Sequence, residues 1–229
     1  YRRLNKCCKA TTIITSNTST IPIKLLTEGM PHEFCERFAI THFFNPVRFM
    51  RLLELVRGEH TKNDVVTTLA MFSELQLGKG VVLCADTPGF LANRVGVFAI
   101  QCALHNAFDL GLAPTEADAF FGRPLGFPKT GVFGLYDLIG IDLMADVVKS
   151  LVNILPANDA FHQYSAPIDF MTNMIANGQT GNKNNKGFYR DDGEERQVIS
   201  LINGDYIPYE RFRVPLVEEA EREGLSTLL

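Results

Sequence analysis

The chain has 229 residues, 46% of them hydrophobic and 21% charged, with a net charge of −4. That is enough apolar material for one large domain or two small ones, and the acidic balance excludes a nucleic-acid binder built on a basic surface. No apolar run reaches the roughly 18 residues of a membrane span, the opening YRRLNKCCKATT does not read as a secretory leader, and Cys7, Cys8, Cys35, Cys84 and Cys102, without CxxC spacing, point to a reducing, cytoplasmic setting.

YRRLNKCCKA reads as the end of a helix and TTIITSNTS as a β-branched strand running into a polar turn. RFAITHFF is a second strand with Phe38, Ile40 and His42 on one face; Pro46 ends it, because proline has no ladder N–H. RLLELV is a third strand, apolar on both faces. Thr61 and Asp64 predict a capped helix through about Leu77, with Val65, Leu69 and Phe72 at helical spacing, and VVLCA a fourth strand. From Asp86 the pattern changes. Asp86 or Thr87 caps a buried helix with Pro88 at its first position and Gly111 at its end. TEADAFFG, FGLYDLIG, DLMADVVKSLVNIL and PIDFMTNMIANG then read as helices, punctuated by stretches such as GRPLGFPKTG. The charged tail after Tyr189 reads as a loop, a turn at NGD and a final helix through PLVEEAEREG. The expected fold is α/β followed by all-α. Its parts are the C-terminal portion of a Rossmann-type domain (1–85), a helical domain (86–190) and a charged extension (191–229).

Two polar residues stand where apolar ones are expected. His42 lies among Phe38, Ile40, Phe43 and Phe44, and Glu54 among Leu52, Leu53, Leu55 and Val56. A buried carboxylate needs a partner, and successive strands usually neighbour one another. A His–Glu contact fixes the imidazole tautomer and makes a general base; a satisfied core histidine accounts for the same residues. SNTST, residues 16–20, follows a strand at the edge where open α/β sheets bind ligands, and is equally an ordinary turn. Asn93, early in a helix expected to be buried, touches either a substrate or a neighbouring loop.

Four blocks in order, SNTSTIPI, ITHFFNPVRFMRLLELVRGEHT, ADTPGFLANRVGVF and NKGFYR, resemble the NAD-dependent L-3-hydroxyacyl-CoA dehydrogenases of fatty-acid β-oxidation. The resemblance runs from about Cys7 to Tyr189, and GRPLGFPKTGVFGLYDLIGID is similar to the longer, multifunctional members. It implies His42 as the catalytic base and Glu54 as its orienting partner. By the same resemblance Ser19 and Asn93 are substrate contacts, and Ser19, Asn45 and Lys183 are contacts to NAD. The implied partners are an acyl-CoA substrate and a homodimer or larger multifunctional assembly formed through the helical domain. One departure is large. The family's G-x-G-x-x-G loop has no counterpart, the first glycine being Gly29. With Tyr as first residue, the chain is expected to be a fragment lacking the phosphate-binding half of its Rossmann domain. It should bind NAD poorly by itself, with the CoA phosphates contacted from the missing part. A non-catalytic helical dimerisation or scaffold module is the competing reading. Dehydrogenases of the 3-hydroxyisobutyrate or 6-phosphogluconate kind, which use a lysine base, are disfavoured by HFFNP with Glu54.

Overall fold

The structure, a computed structural model, describes residues 1–122, 129–193, 195–213, 215 and 219. The chain divides into two compact units, Tyr1–Gly96 and Val97–Leu229.

The first unit holds α1 (Arg2–Cys7), β1 (Ile14–Ser16), α2 (Ile23–Leu26), α3 (His32–Glu36), β2 (Phe38–Phe43), β3 (Leu52–Arg57), α4 (Asn63–Leu75) and β4 (Gly80–Cys84). The sheet order is β1-β2-β3-β4. β1 runs parallel to β2, β2 antiparallel to β3, and β3 parallel to β4. Side chains alternate across the pleat. Ile14, Phe38, Ile40, Val56 and Cys84 form one core with Ile23, Phe34 and Phe90. Ala39, Leu53 and Leu55 form another with Val66. β2 and β3 are therefore buried on both faces, which explains their nearly unbroken apolar runs.

Two local expectations need correction. Thr61 does not cap α4: its hydroxyl donates to the Phe38 carbonyl at 2.7 Å and accepts from the Gly58 amide at 2.9 Å. The N-cap position of α4 is Lys62, without a side-chain cap. The expected apolar stripe of α4 holds at Val65, which is buried, and at Leu69, which packs on the core with Val66 and Ala70, but not at Phe72, which is 53% exposed while Ser73 beside it is buried. Sequence spacing alone does not choose between these neighbours; the tertiary partners do.

Next come α5 (Ala92–Asp109), α6 (Pro114–Phe120), α7 (Gly131–Ile139), α8 (Ile141–Ile154) and α9 (Asp169–Ala176), with 3-10 turns at Ala160–Tyr164 and Asn182–Asn184. Gly111 ends α5 as expected, at φ +67, while the Leu112 amide returns to the Ala107 carbonyl at 2.9 Å. The core of the second unit is built from Leu104, Phe133, Tyr136, Ile141, Leu151, Phe161 and Phe188, all 2% exposed or less. α5 is buried along one stripe only, since Val95 and Asn106 stay exposed.

The second unit is not purely helical. β5 (Tyr189–Asp191), β6 (Arg196–Ile199) and β7 (Tyr206–Pro208) form a three-stranded antiparallel sheet, where the sequence reading expected a loop. Its strands are three or four residues long, too short for an alternation to stand out. Tyr189, Val198 and Ile199 are buried, and the Arg196 guanidinium lies over the rings of Tyr189 and Tyr209, 4.8 Å from each. The expected final helix at 215–224 falls, apart from 215 and 219, outside the described residues, as do residues 123–128 of GRPLGFPKTG.

A buried carboxylate joins β5 to α7. Asp137, 2% exposed, accepts from the Phe188 amide at 2.8 Å and the Tyr189 amide at 2.7 Å. Gly187 is required here, because a Cβ on it would lie 2.1 Å from Asp137 Oδ1. Asp118 repeats the device at the start of α7, accepting from Phe133, Gly134 and the Tyr189 hydroxyl. Burial pushes Asp137 up to about 7 and Asp118 up to about 6, against the pull of these hydrogen bonds. Asp137→Ala leaves two buried amides unpaired, so it should destabilise the fold by about 2–4 kcal/mol. A denaturant midpoint unchanged from the parent would contradict this.

Candidate active site

The site begins with strand register. In the antiparallel β2–β3 pair His42 lies directly opposite Glu54, so both side chains project from the same face, the one that carries Phe38 and Ile40. His42 is 6% exposed and Glu54 fully buried. His42 Nδ1 and Glu54 Oε2 are 2.6 Å apart. The rings of Phe44 and Phe90 approach the imidazole edgewise, with centroids at 4.6 and 5.7 Å.

The second carboxylate oxygen explains how a buried charge is tolerated. Glu54 Oε1 accepts from the Leu91 amide at 2.9 Å and the Ala92 amide at 2.6 Å, with the Cys84 thiol at 3.8 Å. These amides open α5, an 18-residue helix, so the carboxylate sits on the positive end of its dipole. Two successive left-handed residues, Gly89 at φ +73 and Phe90 at φ +51, turn the chain to aim the amides. A non-glycine residue in that region is uncommon and strained. Here Phe90 is held by its buried ring and by the hydrogen bond its amide donates to the Thr87 carbonyl.

Asp86 and Thr87 therefore do not cap α5, and Pro88 is not its first residue. Asp86 instead accepts from the Ile23 amide at 2.9 Å and the Lys24 amide at 3.4 Å, at the start of α2. The cap of α5 comes from Glu54, 37 residues back along the chain.

Burial pushes the Glu54 carboxyl upward, and the His42 hydrogen bond with the Ala92 and Leu91 amides outweighs it, so the group is held below its ordinary value. The same burial, with the Glu54 charge beside it, pushes the Cys84 thiol up to about 11 and keeps it a proton donor. With Glu54 ionised, the imidazole proton belongs on Nδ1 and the lone pair on Nε2. A depressed carboxyl contributes stability above its unfolded value and loses it as pH falls through the folded value. Acid should therefore lower the melting temperature more steeply in the parent than in Glu54→Gln. Parallel melting curves against pH would contradict the assignment.

The other residues singled out in the sequence are placed as follows. Ser19 is half-buried in the turn after β1. Sequence reasoning missed Asn17, whose Oδ1 accepts from the Phe43 amide at 2.9 Å and ties that turn to the residue after His42. Asparagine directly after a β-branched strand was the available signal. Asn45 is exposed, two residues past Phe43, and Asn93 is half-buried in the first turn of α5, next to Ala92. Lys183 belongs to the second unit, where its ammonium is paired with Asp142 at 2.5 and 2.7 Å. Among the described residues there is no cluster of three or more His, Cys, Asp or Glu side chains that could hold a metal, and no helix long and apolar enough to cross a membrane.

Comparison with known proteins bears on this geometry. Residues 1–87 match the 3-hydroxyacyl-CoA dehydrogenase NAD binding domain and residues 89–191 the 3-hydroxyacyl-CoA dehydrogenase C-terminal domain. A Rickettsia prowazekii protein named a fatty acid oxidation complex trifunctional enzyme is 40% identical over 92% of this chain and 30% of its own length. Mouse mitochondrial hydroxyacyl-coenzyme A dehydrogenase is 33% identical over 83% of this chain and 58% of its own. The crystal structure of 3-hydroxybutyryl-CoA dehydrogenase from Escherichia coli K12 superimposes with a TM-score of 0.72 at 32% identity, over 86% of this chain and 40% of that one. The chain thus spans about a third to just over half of the length of these relatives. With both domain models matched in order over nearly all of residues 1–191, the chain belongs to the 3-hydroxyacyl-CoA dehydrogenase family.

Proposed function

We propose that the chain supplies the catalytic base for NAD-dependent oxidation of an L-3-hydroxyacyl-CoA to the 3-oxoacyl-CoA, within a fatty-acid β-oxidation protein. The observation that carries this is the buried imidazole whose Nδ1 is held by an ionised carboxylate, leaving Nε2 for a reacting hydroxyl. His42 Nε2 takes the 3-hydroxyl proton, and Glu54 stabilises the imidazolium that forms. Bound NAD would supply the acceptor for the hydride leaving the carbon that bears this hydroxyl. Phe44 and Phe90 exclude water from the imidazole, which strengthens its interaction with Glu54. Asn93, at the helix end whose amides hold Glu54, is assigned to the substrate oxygen, and Ser19 to the substrate and the nicotinamide.

The residues present fit the nicotinamide end of the cofactor. The carboxyl ends of β1 and β2 bring Ser16, Asn17, Thr18 and Ser19 to the edge of the sheet where His42 stands. Asn45 lies at the same edge and Lys183 in the second unit; both are assigned to NAD on the family resemblance alone. No G-x-G-x-x-G sequence for the pyrophosphate occurs in residues 1–229.

The second unit is read as the association domain, in a homodimer or a multifunctional assembly. Supporting this, Leu138, Leu143 and Ile154 of α7 and α8 are exposed. Five free thiols accord with a reducing, cytoplasmic setting. The test is NADH formation from L-3-hydroxybutyryl-CoA, with the chain alone and fused behind a Rossmann half-domain that carries a G-x-G-x-x-G loop. Oxidation by the fusion, selective for the L-enantiomer, is expected. A fusion that binds NAD and leaves the substrate unoxidised would favour the scaffold reading.

A further inference from the structure

The second unit holds a cleft of about 560 Å³ lined from α5, α7, α8 and α9. Its walls are apolar: Leu104 of α5, Val148 and Val152 of α8, and Met171 and Ile175 of α9. The pairs on α8 and α9 are each four residues apart, so each helix turns one face to the cleft. A space of this size, mostly apolar with a few placed polar groups, is the usual form of a small-molecule site.

Two buried polar side chains line the cleft without a partner. Gln101, one turn before Leu104 on α5, is 5% exposed, and Tyr136 of α7 is 2% exposed. Among the described residues the Gln101 amide and the Tyr136 hydroxyl make no hydrogen bond, although buried polar groups are normally paired. The one side-chain polar atom both sealed from solvent and unpaired among those residues is His105 Nε2. The Gln101 and Tyr136 groups therefore face open space, and the space they line is the cleft. Burial holds the Tyr136 hydroxyl above its ordinary range, so it stays a donor, while the Gln101 amide both donates and accepts. The charged lining residues, Asp146 and Lys149, are exposed and opposite in sign, so the mouth selects neither anion nor cation.

We propose that this cleft binds an uncharged medium-chain molecule, its alkyl tail along α8 and α9 and its single hydroxyl, carbonyl or amide head on Gln101 and Tyr136. A carboxylate or ammonium head is disfavoured, because it would lose its water with no opposite charge beside it. The site contains neither His42 nor Glu54, so this proposal and the catalytic reading stand or fall separately.

The test is NMR titration of the full 229-residue chain with octanamide, beside octanoate and octylamine. Octanamide should bind saturably and shift the Gln101 side-chain amide signals, with the two charged analogues at least about tenfold weaker. Gln101→Leu and Tyr136→Phe should each weaken octanamide by about fivefold. Both should melt no lower than the parent, since neither removes an existing hydrogen bond. Ala145→Trp, at an exposed position on the cleft wall, should abolish binding with circular dichroism unchanged. No saturable binding, equal affinity for octanoate, or unchanged affinity in all three variants would overturn the proposal. So would displacement of octanamide by octanoyl-CoA, which would make the cleft part of the reaction site. A dimer that octanamide leaves intact and Ala145→Trp breaks would also overturn it, because a second copy would then cover the cleft.

Discussion

His42→Gln is expected to lower kcat for L-3-hydroxyacyl-CoA oxidation by about 10²–10⁴-fold, the span usually supplied by a positioned acid or base. KM for the acyl-CoA should stay close to the parent value, because the imidazole contributes mainly in the transition state. Glutamine is the informative replacement. Its amide can still meet Glu54 across the β2–β3 pair, so the buried carboxylate keeps a partner in the fold. What it cannot do is accept a proton near neutral pH. Steady-state rates in the fused enzyme, beside a thermal melt, separate these effects. Retained turnover with a normal melt would remove His42 from the chemistry.

Glu54→Ala should have the largest effect on stability. The carboxylate is fully buried and joins three elements, accepting from the first amides of α5 and pairing with the imidazole of β2 from its own place on β3. Truncation leaves those partners buried and unpaired, at a cost of about 3–5 kcal/mol. Such a loss is a large part of the whole stability of an ordinary domain. Glu54→Gln keeps the volume and one acceptor, so most of the fold should survive, yet the ionised partner of Nδ1 is gone. Its rate should therefore fall by roughly 10²-fold or more while its melting temperature falls only modestly. The pair of variants tests one idea, that Glu54 both holds the fold and orients the base. Full activity in Glu54→Gln would leave the carboxylate a purely structural role.

Local chemistry written in neighbouring residues was legible from the sequence. β2 and β3 are short runs whose only titratable interior groups are His42 and Glu54, and an antiparallel register sets those two face to face. What escaped was decided by distant partners. Asp86 has the composition of a cap and is one, but for α2, while α5 is capped by a glutamate from β3. Thr61 and Asp64 have capping-box spacing, yet the Thr61 hydroxyl is engaged by the Phe38 carbonyl. The strands near residues 196 and 206 hide their alternation because they are only four and three residues long, with buried Val198 and Ile199 adjacent in sequence and Arg196 lying over two tyrosine rings.

The claim on which all of this rests is that Glu54 fixes the His42 imidazole with its proton on Nδ1 and its lone pair on Nε2. Nitrogen-15 NMR of the ring measures that directly. The chain has five histidines, and the His42→Gln spectrum identifies the one of interest. The prediction is a neutral imidazole protonated at Nδ1 in the parent, changing toward the Nε2-protonated form in Glu54→Gln. An Nε2-protonated His42 in the parent would contradict the account, because no lone pair would then face the hydroxyl.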